Sequence, residues 1–262
     1  MTSKDSGPNP SWDPLGVWSG LYRVGGQGAG AFVPPGLPAA MSPLGLVLSA
    51  VRARLVGRRV RLTIGGVSLA FTLDDIALPS DPLLLAAGQA DEVTIDTSDL
   101  QYGAHRFTGA RAVFRNVHTQ TGRHPRIVSA PIDLVLRASE DYLSELVGAR
   151  APWLRMQITD GGQIQARIRN HPDWGWVPVC LQVEDHRILI QPQALTLGGG
   201  RSWRAPRRLR PIAIPVTLPD GVRLVGAQVL PRSVELHVRV DQGHLDYKDA
   251  MSFLSGGRGA AS

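Results

Sequence analysis

The sequence predicts an α+β protein in which a few helices pack on one dominant antiparallel sheet. Three observations carry this. Roughly a dozen short segments alternate apolar and polar residues between turns rich in Gly, Pro and Asp. Two stretches, 44–55 and 143–147, instead space their apolar residues for one face of a helix. A chain of 262 residues, 43% of them hydrophobic, also has enough apolar material for a sizeable core.

Residues 1–40 read as a flexible leader rich in Gly and Pro, with GGQGAG at Gly25–Gly30 and FVPPGLP at Phe32–Pro38. The glycine cluster is no phosphate loop, because no strand pattern precedes it and no Lys-Ser/Thr pair follows. Trp12, Trp18 and Tyr22 give the leader rings suited to docking on the body or at a membrane interface. Residues 41–247 are expected to form a single domain and 248–262 a flexible tail.

Ser42-Pro43 is a helix start, with Ser as N-cap and Pro in the first turn. Leu44, Val47, Leu48, Val51 and Leu55 then form an apolar stripe, with Arg52, Arg54, Arg58 and Arg59 on the other side and at the end. That stripe suits either ordinary core or the lining of an apolar cavity. A hairpin follows, VRLTI and VSLAFTL around Gly65-Gly66. DEVTIDTSDLQY, HRFTGARAVFRNVHTQ and RIVSAPIDLVLRA extend the sheet.

The organising stretch is 131–197. Ile132, Leu134 and Leu136 alternate along a strand, and Ser139 caps a helix with Glu140 and Asp141 in its first turn and Gly148 as its stop. Leu143, Leu146 and Val147 share one side of barely two turns, too short to stand without docking on the sheet. More strand patterns then run to SVELHVRV, with Pro178, Pro192 and Pro215 marking edges, bulges or bends. Helix-then-hairpin occurs twice, over Ser42–Leu73 and Ser139–Ile168, which suggests a duplicated unit.

No catalytic signature is present, and the chain is not expected to be an enzyme or to need a cofactor. The histidines at 105, 118, 124, 171, 186, 237 and 244 include no pair at zinc-motif spacing. Asp241–Asp246 lacks the terminal glutamate of a calcium loop, so no metal site is expected. Ser68 and Ser139 lack the glycines of a nucleophile elbow. Asp74-Asp75 and Glu140-Asp141 fit a strand end and a helix start. Cys180, the single cysteine, reads as a small buried hydrophobe.

Net charge is +6, and Lys4 and Lys248 are the only lysines. The densest positive feature is GGGRSWRAPRRLRP, in which Arg201, Arg204, Arg207, Arg208 and Arg210 surround Trp203. No acidic residue lies between Asp185 and Asp220, so these arginines gain most by meeting phosphate. Trp174, Trp176 and Trp203 supply interfacial rings, which favours a membrane surface. Nucleic acid would satisfy the same arginines, a protein partner is an alternative, and a solvated loop is the plain reading. The N-terminus has no basic segment followed by an apolar core, and no run reaches the length of a membrane span. A cytoplasmic protein is expected, with peripheral membrane contact allowed.

PIDLVLRASEDYLSELV, the strand pair around Asp160-Gly161-Gly162, LQVEDHRILIQPQALTLGGG and IAIPVTLPDGVRLVGAQVLPRSVELHVRV together resemble the LmeA-like phospholipid-binding family of high-GC bacteria. The resemblance covers roughly 60–240, and VTLPDGVRL is its most distinctive part. It implies a fold similar to tubular lipid-binding (TULIP) domains, a strongly curved antiparallel sheet with two or more helices on its concave face. It further implies noncovalent binding of a phospholipid or related amphiphile and a role in cell-envelope lipid or lipoglycan metabolism. The expected groove is lined by Leu44, Val47, Leu48, Val51, Leu55, Leu143 and Leu146. The head group or anionic surface is expected at Arg201, Trp203, Arg204, Arg207, Arg208 and Arg210. Typical members carry an export or lipoprotein signal, and the polar leader of this chain departs from that pattern.

Overall fold

The structure, a computed structural model, describes residues 43–64, 67–78, 81–120, 126–184, 187–197, 202–204, 211–216 and 221–246. The expected leader, the Ser42 cap, the Gly65-Gly66 turn, the loop at His124 and the tail lie outside them.

Helix α1 (Pro43–Leu55) is followed by strands β1 (Arg59–Ile64) and β2 (Val67–Ala77). Gly57, at φ 77°, turns the chain back so that its N–H donates to the Leu73 carbonyl at 2.7 Å, which fixes the helix end against β2. A short helix α2 (Pro82–Ala86) comes next, unanticipated from the sequence although its signals are plain. Asp81 Oδ1 accepts from the Leu83 and Leu84 N–H groups, and Pro82 opens the first turn. Long strands β3 (Gln89–Tyr102) and β4 (His105–Gln120) follow, then β5 (Arg126–Ser129) and β6 (Ile132–Ser139).

Helix α3 (Glu140–Gly148) begins as its sequence predicts, with Ser139 Oγ accepting from the Tyr142 N–H at 3.2 Å. Then come β7 (Leu154–Ile158), β8 (Ile164–Ile168), a 3₁₀ turn (Pro172–Trp174), β9 (Gly175–Glu184), β10 (Arg187–Pro192), β11 (Ala194–Leu197), β12 (Ser202–Arg204) and β13 (Ile212–Pro215). The hairpin β14 (Val222–Leu230) and β15 (Ser233–Val240), with β16 (Gly243–Asp246), closes the described chain. Pro192 ends β10, and Gln193 N–H bonds the Pro178 carbonyl at 2.8 Å before β11 resumes. Two prolines thus meet at the bend, as expected of residues that cannot donate to a ladder.

The strands divide between two antiparallel sheets. The first runs β1-β2-β3-β4-β6-β15-β14, with β5 beside β4 and β16 beside β5, and is curled into a half-barrel. The second runs β7-β8-β9-β10-β13, with β11 and β12 on the same edge of β9 as β10. Each sheet is entered from a helix, a hairpin, a short helical turn and a longer hairpin, in the same pairing order. The doubled pattern in the sequence is therefore doubled architecture. Asp74 and Asp75 correct the expectation of a strand end: they sit inside β2 at a bulge, where Ser98 Oγ donates to Asp74 at 2.7 Å.

The main core lies between the sheets. Leu134, Leu136, Val234 and Val238 of the first meet Met156, Ile164, Ile188 and Ile190 of the second, with Leu143 and Val147 of α3 between them. Met156 and Val147 are fully buried, each side chain contributing about 1.5–3 kcal/mol. A smaller core forms where α1 meets β2–β4, around Leu44, Leu73, Ile76, Val93 and Val117.

Candidate functional site

Directly opposed residues of antiparallel strands share a face, so the registers of the first sheet sort its side chains into rows. One row runs Ile76, Ile95, Ala112, Leu134, Val238, Leu224. Its neighbours run Leu73, Thr97, Ala110, Leu136, Leu236, Ala227 and Val93, Phe114, Ile132, Val240, Val222. All but Thr97 are apolar, and the Thr97 hydroxyl donates to the Ala110 carbonyl at 3.2 Å. This is the concave face.

The rows between them face outward and carry charge. Arg115 bridges Glu92 and Asp133, both at 3.1 Å, and Arg239 reaches Asp133 at 2.8 Å. Arg111–Asp96 and Arg137–Glu235 add two further cross-strand pairs. Partial desolvation works against ionisation of Asp133, but hydrogen bonds from Arg239 and Arg115 outweigh it and hold the carboxyl below its usual range. At the surface such pairs are worth only about 0–1 kcal/mol each. They mark the convex side as solvated.

The concave rows are not covered evenly. Under α3 and the second sheet, Ile132, Leu134, Val234 and Val238 are buried. Toward β3 and β4, Ile95, Leu100, Ala110 and Phe114 are only half-buried. Leu48, Val51 and Leu55 of α1 are half-buried against the smaller core, and Leu146 of α3 is half-buried against the main core. Phe114 packs at the margin of both cores. The result is an apolar strip between two amphipathic helices with part of its surface still available.

The expected groove residues separate accordingly. Leu44, Val47 and Leu143 are buried and serve as core. Leu48, Val51, Leu55 and Leu146 are the members of that set left half-buried. Ile95, Ala110 and Phe114 went unnoticed in the sequence, although their alternation with Thr94, Asp96, Arg111, Val113 and Arg115 identifies their face once the register is known. Of the expected anionic-site residues, Trp203 and Arg204 lie in β12, opposite Leu195 and Ala194. Arg201, Arg207, Arg208 and Arg210 lie outside the described residues.

Near one end of β4, the Tyr142 hydroxyl and His105 Nδ1 are 2.6 Å apart, with the rings edge to face. Burial pushes the His105 pKa down, against a smaller opposing effect of Glu145. Burial pushes the Tyr142 pKa up, and Glu145 adds to that rise. The hydroxyl and the imidazole nitrogen thus form a paired polar contact beside an apolar wall.

An open polar depression of about 660 Å³ lies elsewhere, lined by Ser139, Glu140, Asp141, Gln157, Ile158, Thr159, Asp160 and Arg232. Glu140 Oε2 accepts from the Ile158 N–H at 2.8 Å, Ser139 caps α3, and the exposed Asp160 pairs with Arg232 at 3.4 Å. These groups have structural partners and form no nucleophile–base pair. Among the described residues no group of His, Cys, Asp or Glu is placed to hold a metal ion, and no helix is long and apolar enough to cross a membrane.

The chain thus folds as a curled antiparallel sheet with helices packed against its apolar face. The LmeA-like phospholipid-binding family model matches residues 53–239, and the chain belongs to that family. The match begins inside α1, so Leu44, Val47, Leu48 and Val51 precede it. No curated protein and no solved structure matches the chain.

Proposed function

We propose that this protein binds a phospholipid or related amphiphile noncovalently, with an acyl chain along the strip formed by Ile95, Leu100, Ala110 and Phe114 between α1 and α3. The partial exposure of Ile95, Ala110 and Phe114 within largely buried apolar rows, with Leu100 half-buried nearby on β3, is the observation that carries the reading. An acyl chain laid there gains by removing the remaining apolar surface from water, on the order of 25 cal/mol per Å². Head-group phosphate would be met by the arginines of 201–210, which have no acidic neighbours in sequence. The role fitting such a binder is handling of cell-envelope lipids or lipoglycans at a membrane surface, without chemistry on the lipid.

Native mass spectrometry of the purified protein, followed by extraction and lipid analysis, tests this. A stoichiometric phospholipid, absent from the Phe114→Asp variant, supports the reading. A protein that arrives empty and also takes up no added lipid refutes it.

A further inference from the structure

The end of the second sheet where α3 leads into β7 gathers side chains that the lipid strip does not use. Trp153 precedes β7 and is 58% exposed, and Trp174 in the 3₁₀ turn is 61% exposed. Arg169 N–H donates to the Trp153 carbonyl at 2.8 Å, which places these two residues side by side. His171 stacks on Trp174 with ring centroids 4.0 Å apart. Arg155 and Arg167 are register partners on the outward face of β7 and β8, and the Arg167 guanidinium lies 5.6 Å from the Trp176 ring.

The charge at this end is lopsided. Arg150, Arg155, Arg167 and Arg169 form no ion pair among the described residues, in contrast to the arginines of the convex face. Arg167 reaches only Gln165 at 3.4 Å, and its buried Nε has no partner. Arg169 lies beside Gly148, where the C-terminus of α3 favours a cation. Between residues 150 and 176 the carboxylates are Asp173 and Asp160, and Asp160 sits at the opposite end of the β7–β8 hairpin with Arg232.

We infer that this end docks on an anionic phospholipid bilayer. Trp153 and Trp174 enter the interfacial layer, where an amphipathic ring is favoured. Arg150, Arg155, Arg167 and Arg169 face the lipid phosphates, each basic residue being worth about fivefold in partitioning near an anionic surface. Nucleic acid would also attract the arginines, but two exposed tryptophans, Trp153 between Pro152 and Leu154 and Trp174 two residues after Pro172, suit an interface better than a duplex. The inference rests on the lipid-binding reading, since a binder that exchanges lipid must meet the membrane that holds it.

The test measures co-sedimentation of the full chain with vesicles of mixed phosphatidylcholine and phosphatidylglycerol, beside uptake of a short-chain monomeric phospholipid by native mass spectrometry. Arg155→Gln with Arg169→Gln should lower vesicle partitioning about 25-fold. Trp153→Ser with Trp174→Ser should lower it on the order of tenfold and remove the blue shift of tryptophan fluorescence on adding vesicles. Monomeric-lipid uptake should be unchanged in both, since neither pair touches the strip. Vesicle binding equal to wild type in both double variants overturns the docking surface while leaving the strip intact. Failure of monomeric-lipid uptake with vesicle binding retained and sensitive to these residues does the reverse. Binding to duplex DNA but not to vesicles, lost in the arginine variant, overturns the bilayer as partner.

Discussion

Beneath α3, Leu134, Leu136 and Val238 are closed off by a second sheet, whereas on the next two strands of the same rows Ala110, Phe114 and Ile95 keep part of their surface open. Both regions obey the same alternation and present the same residue types. What separates them is the element laid on top. The second sheet and α3 fill one half, while α1 covers the other along a stripe that leaves Leu48, Val51 and Leu55 half-buried. A core and a binding surface are thus built from one pattern, and the difference is decided by what packs there.

Substitutions in the two halves should therefore separate stability from binding. The largest effect is expected in the closed half. Leu136→Asp places a carboxylate in the main core with no partner, and loss of the cooperative unfolding transition is expected by circular dichroism. Met156→Ala, at a fully buried position, should cost about 2–5 kcal/mol in denaturant unfolding. Phe114→Ala should cost roughly half as much, because the ring is only half-buried, yet lower phospholipid affinity about tenfold or more. If Phe114→Ala proves as destabilising as Met156→Ala and leaves affinity untouched, the halves do not differ as described.

The boundary strand offers a sharper probe. A Cβ at Gly109 would stand 2.8 Å from the Thr97 carbonyl oxygen, a backbone atom that cannot move aside cheaply. Gly109→Ala is expected to cost about 1–3 kcal/mol, with lipid affinity falling in step as β3 and β4 shift. Calorimetry and lipid titration on one sample would show whether the two losses travel together.

A smaller effect is expected at His105. Its folded pKa lies below the ordinary value of 6.5, so the unfolded chain takes up the proton first as pH falls. The contribution is fully present above that value and is lost as pH drops through the interval below it. His105→Phe should flatten the pH dependence of Tm in that interval. Removing the opposing charge with Glu145→Gln should steepen it.

The smallest effect belongs to the convex side. Arg239→Gln should change stability by no more than about 1 kcal/mol and leave lipid binding alone. Asp133, with a folded pKa below 3.8, contributes above that value and loses its contribution on further acidification. Asp133→Asn should remove that part of the acid response.

Much of the fold was legible in residues. Ser139 and Glu140 marked the start of α3 because capping is a local matter, while Gly148 falls inside the helix and Ala149 caps its end; Pro178 and Pro192 marked the bend of the second sheet because proline cannot donate. The short helix at Pro82–Ala86 was passed over as an apolar run, although Asp81-Pro82 carried its start. The site was harder to see. Leu44 and Leu48 belong to the same stripe, but one is fully buried and the other half-buried, a distinction that helical spacing alone does not carry. Phe114 and Phe107 look alike along β4, and only the arrival of α3 and the second sheet makes one half-open and the other buried. The basic tryptophan end of the second sheet joins residues from 150 to 176 through strand pairing, which linear spacing conceals.

The central claim is that an acyl chain lies on the open half of the concave face. A phospholipid with a photoactivatable group near the end of its acyl chain, bound and irradiated, tests it by mass-spectrometric mapping of the labelled residues. Labels on Ile95, Leu100, Ala110, Phe114 and the Leu48–Val51–Leu55 side of α1 are the predicted result. Labels confined to the convex strands, or to the polar depression around Glu140 and Asp160, would contradict it.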